Sequence, residues 1–398
     1  MMLSWQQLRN LVGRVAADYV NGPTSSHAVL RLFGHAESDV RVTLYRDNHA
    51  WCPYCQKVWL WLEEKKVPYR IKKVTMFCYG EKEAWYKRIC PSGMLPALEL
   101  DNRLITESDT ILSNLEREFG PLVYKMEEPQ VKVLRKLERQ IFSAWCGWLC
   151  YPSRSAADEN KRKINFINVA QVVDRALGST PGPYFLNQFS TADVVFIPYL
   201  ERMNASLFYY KGFFFRNSET FPHISKWFDA LETREVYAGT QSDFHTHCHD
   251  LPPQMGGCFE SGDDFQLKCK DRVDSCIDFD LPECNFEEPE NSKEIALEKV
   301  LRHKERILKV NPVNDMDVPL RAVLTYMMTG KLEKIPSGTE IGLRYIKDRV
   351  NVPRDMPMWS ARRFRQALET VAASISSAQG PPIPLNHRRD QDPKPFKH

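Results

Sequence analysis

The sequence predicts a small α/β domain followed by a long helical region, and three observations support this fold class. Residues 39–122 alternate between strand-like and helix-like patterns, in the order β-α-β and then β-β-α. Residues 127–242 carry long amphipathic stretches with helical spacing and no strand alternation. After a different segment at 245–290, residues 291–378 return to helical patterns. We therefore expect an α/β domain, an all-helical domain and a mainly helical C-terminal extension.

The elements of the α/β domain follow from local patterns. They are, in order, a strand around 40–45, a helix through 55–62, a strand at 69–74, strands at 97–100 and 104–105, and a helix over 108–119. Asp101 and Asn102 tolerate the positive φ of a tight turn, so they predict a hairpin. Ser108 is a favourable N-cap for the last helix.

The helical domain carries one sharp helix-start signal. Ser190 followed by Asp193 predicts a capping box that opens a helix over 194–207. In the extension, helices are predicted over 293–309, 319–329 and 359–373, and Gly330 is placed to end the second of them. The tail at 379–398 is rich in proline and charge and is expected to be disordered.

Residues 245–290 differ from their surroundings, and we expect an acidic linker that follows an irregular course. The part from Asp250 onward holds twelve acids and only three bases. Pro252-Pro253 and Gly256-Gly257 predict breaks in regular structure. Partial order is expected from the burial of four apolar residues, Phe259, Phe265, Ile277 and Phe279.

Residues 1–38 precede the first clear strand as an N-terminal extension. Leu8, Leu11, Val12 and Val15 fall at helical spacing, with arginines nearby and few acids. Such a segment is typical either of an organelle transit peptide or of a helix packed on the domain that follows. We favour the packed helix.

Composition bounds the function. The chain has 398 residues, 43% of them hydrophobic, so it can bury a sizeable core. Lys and Arg (54) nearly balance Asp and Glu (51), and no apolar run reaches the ~18 residues of a membrane span. We therefore expect neither nucleic acid nor membrane as a partner. Eleven cysteines at scattered spacing indicate reduced thiols in a reducing compartment.

The strongest chemical signal is the sequence Trp-Cys-Pro-Tyr-Cys at residues 51–55. It lies between a predicted strand and a predicted helix, where free N–H groups and the helix dipole stabilise a thiolate on Cys52. Cys55 follows one turn later, close enough to attack a mixed disulfide on Cys52. A structural pair or half of a zinc site is the alternative, but no second ligand pair with zinc-like spacing follows. Redox chemistry is favoured.

Two weaker signals follow in the same domain. Pro96 opens a strand, and a cis Leu95–Pro96 bond would expose the Leu95 amide and carbonyl to an extended thiol peptide. At the next helix start, Ser108 and the helix N–H groups suit a carboxylate, whereas Glu107 suits an ammonium. Together these groups match the γ-glutamyl end of glutathione, although a capped helix explains Ser108 equally well.

These three patterns, in this order, resemble the glutathione transferase superfamily. The resemblance implies that residues 39–122 are its thioredoxin-like domain and residues 127–242 its all-helical domain. The Cys-Pro-Tyr-Cys site is similar to those of the cysteine-type classes and glutaredoxins. Residues 342–349 and 352–356 resemble the extension of the iota class of photosynthetic organisms. A cytoplasmic or chloroplast location and a possible homodimer are also implied.

The resemblance further implies the roles of the site residues. Cys52 would form a mixed disulfide with glutathione, the co-substrate, and Cys55 or a second glutathione would release it. The expected glutathione-binding residues are Pro53, Tyr54, Leu95, Pro96, Glu107 and Ser108. The expected activity is the reduction of glutathionylated or other mixed disulfides. The alternatives are a conjugating transferase that acts on electrophiles, and a non-catalytic scaffold that binds a cofactor or partner through its extension.

Two further clusters remain. His245, His247 and His249, with Cys248 and Cys258, could bind zinc or copper, but a surface loop, or hydrogen bonds that fix the linker, is favoured and no metal is expected. Residues 341–365 carry seven bases and two acids. A phosphate- or nucleotide-binding role is possible there, but ion pairs with the acidic segment are favoured.

Overall fold

A five-stranded sheet organises the N-terminal domain of this protein, whose computed structural model describes residues 1–12, 17–278 and 280–381. The elements are α1 (Trp5–Leu11), β1 (Leu30–Arg31), β2 (Val42–Asp47), α2 (Pro53–Lys65), β3 (Tyr69–Val74), α3 (Ala84–Ile89), β4 (Ala97–Leu100), β5 (Arg103–Thr106) and α4 (Ser108–Phe119). The strand order is β1-β3-β2-β4-β5. The β2–β3 pair is parallel, and every other pair is antiparallel.

This topology follows from the predicted element order. Parallel neighbours need a crossover, and α2 supplies it between β2 and β3. The hairpin of β4 and β5 turns at Asp101 and Asn102, which have φ of 49° and 65° as predicted. The N-terminal extension adds β1 at the sheet edge. The carboxyl end of β2 and the start of α2 therefore meet at one place.

The helical domain surrounds one deeply buried helix. Its elements are α5 (Pro129–Leu149), α6 (Ala156–Leu177), α7 (Thr191–Lys211), α8 (Pro222–Glu232) and α9 (Glu235–Thr240). The predicted capping box is confirmed, because Ser190 and Asp193 exchange side-chain and backbone hydrogen bonds at the start of α7. Every residue of α7 is buried, so this helix is the core of the domain.

From residue 244 on, the acidic segment and the predicted C-terminal helices together form what we now call the extension. Its helices are α10 (Phe244–Met255), α11 (Asp264–Asp274), α12 (Ser292–Val310), α13 (Asp317–Thr329), α14 (Glu340–Lys347) and α15 (Met358–Ala373). Gly330 ends α13 with φ of 71°, as predicted. A second apolar core forms within this part and takes in Leu8 of α1, while the Trp5 indole N–H donates to Asp317 at 3.0 Å. The first helix therefore packs, but on the extension. Val15 lies outside the described residues, as does the expected tail from residue 382 on.

The irregular course expected for the acidic segment is wrong where α10 and α11 form, but the break predicted at Gly256-Gly257 is confirmed, because α10 ends at Met255 and Gly256 follows with φ of 80°. Residues 244–255 form α10 in spite of Pro252 and Pro253. Pro252 lacks the N–H that would reach the Cys248 carbonyl, and the Tyr210 hydroxyl donates to that carbonyl instead, at 2.6 Å. Tertiary contacts thus supply what the helix lacks.

The burial expected for the apolar residues of this segment is also wrong. Phe259, Phe265 and Ile277 are exposed. Phe279 lies outside the described residues.

The favoured interpretation of the basic run is confirmed for two of its bases, whereas Arg344 and Lys347 pair with Glu369 and Arg365 pairs with Asp243, outside the acidic segment. Arg362 pairs with Glu283 at 3.3 Å, and Arg363 pairs with Glu288. These two contacts join α15 to the acidic segment.

Across the residues that the structure describes, no helix combines the length and the apolar character that crossing a membrane requires.

One stability prediction follows from the buried capping box. The Asp193 carboxylate accepts hydrogen bonds from the Phe185 and Ser190 N–H groups and from the Trp227 indole. We expect Asp193→Ala to lower the free energy of unfolding by about 2–5 kcal/mol, because it leaves buried donors without acceptors. Urea unfolding of both proteins measures this.

The control is Asp158→Ala, which removes an acid at the same position of an exposed helix start, in α6. Its loss should be clearly smaller, because water can replace the carboxylate there. Equal losses in the two variants would contradict the argument from burial.

Candidate functional site

The candidate cysteine pair lies at the start of α2. Cys52 is the N-cap, with extended backbone, and Pro53 is the first helical residue, where a missing N–H costs nothing. The Cys52 Sγ accepts a hydrogen bond from the Cys55 N–H at 3.4 Å. A sulfur in this position faces the free N–H groups and the positive end of the helix dipole.

Cys55 has a different environment. It is 1% exposed, and burial together with the hydrogen bond to Cys52 raises its thiol pKa well above the ordinary value. The thiol is therefore protonated at neutral pH, and it needs a base before it can attack a disulfide.

A buried carboxylate that the sequence analysis did not single out lies beside both sulfurs. Asp47 ends β2, and one of its oxygens lies within 4.8 Å of the Cys52 and Cys55 Sγ atoms. Asp47 Oδ2 accepts the Trp51 N–H at 2.7 Å. The carboxylate thus fixes the backbone that leads to Cys52, and it can also take a proton from a neighbouring thiol. No signal in the sequence marks it, because its position depends on where β2 ends.

The same three donors are the only group in the described part of the chain that could hold a metal ion. Two thiols and one carboxylate are one ligand short of the four that structural zinc sites commonly use.

The second predicted motif lies against the cysteine pair. The Leu95–Pro96 bond is cis, which is the condition on which the predicted role of Leu95 depends. Leu95 is half-buried and packs against the apolar cluster that contains Trp51, Cys52 and Cys55. The structure therefore brings the two motifs together, although 40 positions separate them in the chain.

The third motif begins α4, but the expected cap is wrong by one residue. Glu107 is the N-cap, with a positive φ of 66°, and Ser108 is the first helical residue. For a residue with a side chain, this backbone region is strained, and such strain is concentrated at functional sites. Glu107 is exposed and Ser108 is buried, so a charged group and a hydroxyl lie side by side at the helix start.

A charged cluster ties the start of α4 to α2. Lys57 Nζ lies 2.8 Å from one Asp109 oxygen, and Arg135 lies 2.8 Å from the other. Burial works to raise the Asp109 pKa, but the two cations outweigh it and lower the pKa to about 2. Asp109 is therefore charged at neutral pH and holds the third motif next to the cysteine helix.

The remaining predicted residues line the same helix start. Tyr54 is 39% exposed, and its ring meets the Tyr199 ring edge-on, with centroids 6.0 Å apart. Pro53 is half-buried beside it. Tyr54 is thus available to contact a bound ligand.

The histidine cluster is not a surface loop, but the hydrogen bonds expected to fix this segment are present. It lies in α10, with His245 and His247 buried. His247 Nε2 lies 2.7 Å from Glu201, whereas His249 Nε2 lies 2.9 Å from Asp274. These two histidines therefore face different acids of the structure, and the five His and Cys donors do not form a metal-binding group in the described residues.

Comparison with known proteins identifies two segments of the chain. The family model for the glutathione S-transferase N-terminal domain matches residues 51–118, and that for the C-terminal domain matches residues 162–230. Both matches fall within the domains described above, and neither reaches the extension.

Curated relatives match the same part of the chain. Glutathione S-transferase DHAR3, chloroplastic, of Arabidopsis thaliana is 29% identical over 196 residues, which are 48% of this chain and 69% of the relative. Glutathione S-transferase L3 of the same plant is 27% identical over 201 residues, 48% and 79% of the two chains.

Among solved structures, glutathione transferase Omega 3C from Trametes versicolor has 26% identity and a TM-score of 0.43. The matched region covers 51% of this chain and 90% of the Trametes versicolor protein.

The expected fold class is confirmed, with a thioredoxin-like domain, an all-helical domain and further helices. The enzyme class is confirmed at the level of a glutathione transferase or thiol oxidoreductase. The two domain matches and the curated relatives thus support the resemblance of residues 51–230 to the glutathione transferase superfamily.

Proposed function

We propose that this protein is a glutathione-dependent thiol transferase that reduces mixed disulfides through Cys52. One observation carries the proposal: the Cys52 sulfur lies at the N-terminus of α2, and the Cys55 thiol and the Asp47 carboxylate lie within 4.8 Å of it. This arrangement supplies a nucleophile, a resolving thiol and a base in one place.

The proposed reaction has two steps. The Cys52 thiolate attacks the glutathione sulfur of a glutathionylated substrate, which forms a Cys52–glutathione disulfide and releases the substrate thiolate. A second glutathione thiolate then attacks this disulfide, giving oxidised glutathione and the Cys52 thiolate. Alternatively, Cys55 gives its proton to Asp47 and attacks, which forms a Cys52–Cys55 disulfide and releases glutathione as a thiolate.

Glutathione binding is proposed on the residues around this pair. The Leu95 backbone beside Pro96 pairs with the extended tripeptide, as in strand addition. Glu107 receives the γ-glutamyl ammonium, and Ser108 with the helix N–H groups receives its carboxylate. Pro53 and Tyr54 flank the sulfur. The proximity of Leu95 to Cys52 and the tether between Asp109 and Lys57 support this set.

We also propose the finer classification. The extension sequence around residues 342–356 supports membership of the iota class of photosynthetic organisms. A cytoplasmic or chloroplast location and a homodimer remain predictions, and size-exclusion chromatography with light scattering measures the latter.

The first test concerns the two thiols. We expect iodoacetamide at pH 7 to alkylate Cys52 at least about tenfold faster than Cys55, because the Cys52 sulfur lies at the start of α2, whereas burial raises the Cys55 pKa and keeps that thiol protonated. Peptide mass mapping over time measures both rates. Equal rates at the two sites would contradict the assignment.

The second test is the intact mass after incubation with oxidised glutathione. We expect Cys55→Ser to retain one glutathione on Cys52, because no resolving thiol is present, whereas the wild type releases it and forms the internal disulfide. Cys52→Ser is the matched control and should show no adduct at this site. An adduct of equal yield in Cys52→Ser would refute the proposal.

A conjugating transferase is the second candidate, since both matched domains are those of transferases. It predicts that activity toward electrophiles survives Cys52→Ser, because a hydroxyl can still hold a glutathione thiolate. We expect both activities to be lost in this variant, with disulfide reduction lowered by at least about 100-fold, since the nucleophile itself is removed. Assays of both reactions on this variant decide between the two functions.

A further inference from the structure

The residue before the candidate nucleophile is enclosed from two sides. Trp51 is fully buried. On one side, the rings of His49 and Tyr79 lie 4.7 and 5.2 Å from it, both in the N-terminal domain. On the other side lies the extension: the Trp51 indole N–H donates to the Val352 carbonyl at 3.3 Å, and the Arg354 guanidinium lies 5.1 Å from the ring centroid.

These contacts come from one short loop between α14 and α15, residues 351–355, which we name the clamp loop. The clamp loop is anchored in several parts of the chain. The Val352 N–H donates to Thr246 at 2.9 Å, and the Val352 carbonyl accepts the Ser242 hydroxyl at 2.6 Å. The Pro353 carbonyl accepts the Ser26 hydroxyl at 2.5 Å. These hydrogen bonds hold the clamp loop in one position against Trp51.

The enclosure matters because a buried indole N–H needs an acceptor. Here the acceptor is supplied by residue 352, whereas the transferase domain matches end at residue 230. The surroundings of Trp51 are thus incomplete without the extension.

The backbone of Trp51 is held by residues of the two transferase domains, whereas the extension contacts its ring. The backbone N–H is bound by Asp47 and the backbone carbonyl by Arg202, at 2.7 and 2.5 Å. The contacts of the extension with Trp51, from the Val352 carbonyl and the Arg354 guanidinium, are made to the indole ring. Because the next residue is the N-cap of α2, a displaced indole would turn the peptide that places the Cys52 sulfur under the Cys55 N–H.

We propose that the clamp loop is a positioning element of the thiol site, and that Arg354 and the Val352 carbonyl act on Cys52 through Trp51. This inference rests on the proposed thiol-transfer function, since it assigns the extension a role in that same site. Arg354 attracts the face of the indole as a cation, and the carbonyl fixes its edge, so that together they select one ring orientation.

The test compares three variants of the full chain. Arg354→Met keeps the aliphatic stem and removes the cation, and Arg354→Lys restores a cation. Arg349→Met is the matched control, because it removes a guanidinium that stacks 4.0 Å from the Tyr345 ring within the extension and leaves the Arg349 backbone carbonyl, which accepts from Arg354, in place. For each variant we would measure kcat and KM with a glutathionylated peptide, the rate of Cys52 alkylation by iodoacetamide at pH 7, and the midpoint temperature of thermal unfolding.

We expect Arg354→Met to lower kcat and the alkylation rate roughly three- to tenfold, with KM changed less than about twofold, because the proposed glutathione-binding residues are untouched. Arg354→Lys should recover most of the loss, and Arg349→Met should match the wild type. Unchanged kcat and alkylation in Arg354→Met, or an equal loss in Arg349→Met, would overturn the proposal.

A second variant covers the case in which Arg354→Met unfolds. Trp51→Phe keeps an aromatic ring and removes the N–H that reaches Val352. We expect Cys52 to be alkylated more slowly in this variant too. Alkylation at the wild-type rate would refute the proposed role of the clamp loop. The alkylation assay needs no glutathione, so it tests the clamp loop independently of the proposed function. If the wild type failed to reduce mixed disulfides, the proposed function would be wrong. Slower alkylation in the variants would still support the role of the clamp loop.

Discussion

Two adjacent buried charges in α7 join the parts from which the candidate site is built. Arg202 is 1% exposed and donates to the Trp51 carbonyl and, at 2.9 Å, to the Gln56 side chain, on either side of the cysteine pair. Glu201 accepts the Ser242 N–H at 2.9 Å and lies 2.7 Å from His247 of α10. Buried charges are tolerated only when they are paired or hydrogen-bonded, so the helical domain, the cysteine loop and α10 can be arranged in few ways.

The extension is fastened to this centre by the same kind of contact. Arg365 of α15 forms a buried ion pair with Asp243, the N-cap of α10, and although burial opposes it, Arg365 lowers the Asp243 pKa. Arg365 also donates to the Val350 carbonyl at 2.6 Å, next to the clamp loop. A chain of paired charges and hydrogen bonds thus runs from α15 through α10 and the clamp loop to the residue before Cys52. This is a physical reason for the extension and the transferase domains to act as one unit.

Local rules predicted those features whose causes lie within a few residues. The turn at Asp101-Asn102 and the capping box of Ser190 with Asp193 are examples, because positive φ and hydrogen bonds between neighbours decide them. The same rules failed at α10, where two prolines argue against a helix. There the Tyr210 hydroxyl, 38 residues away in sequence, satisfies the Cys248 carbonyl that Pro252 cannot reach.

The sequence by itself determined the α/β and helical order, the place of Cys52 and Cys55 at a helix start, and the presence of opposite charges in two segments of the extension. Periodicity, helix capping and net charge are properties of short stretches, so they can be read without coordinates. Only the tertiary structure placed Asp47 beside the two sulfurs, paired the buried charges, and laid residues 351–355 against Trp51. Those contacts join residues more than 300 positions apart, and no local pattern encodes which distant backbone carbonyl will meet a buried indole.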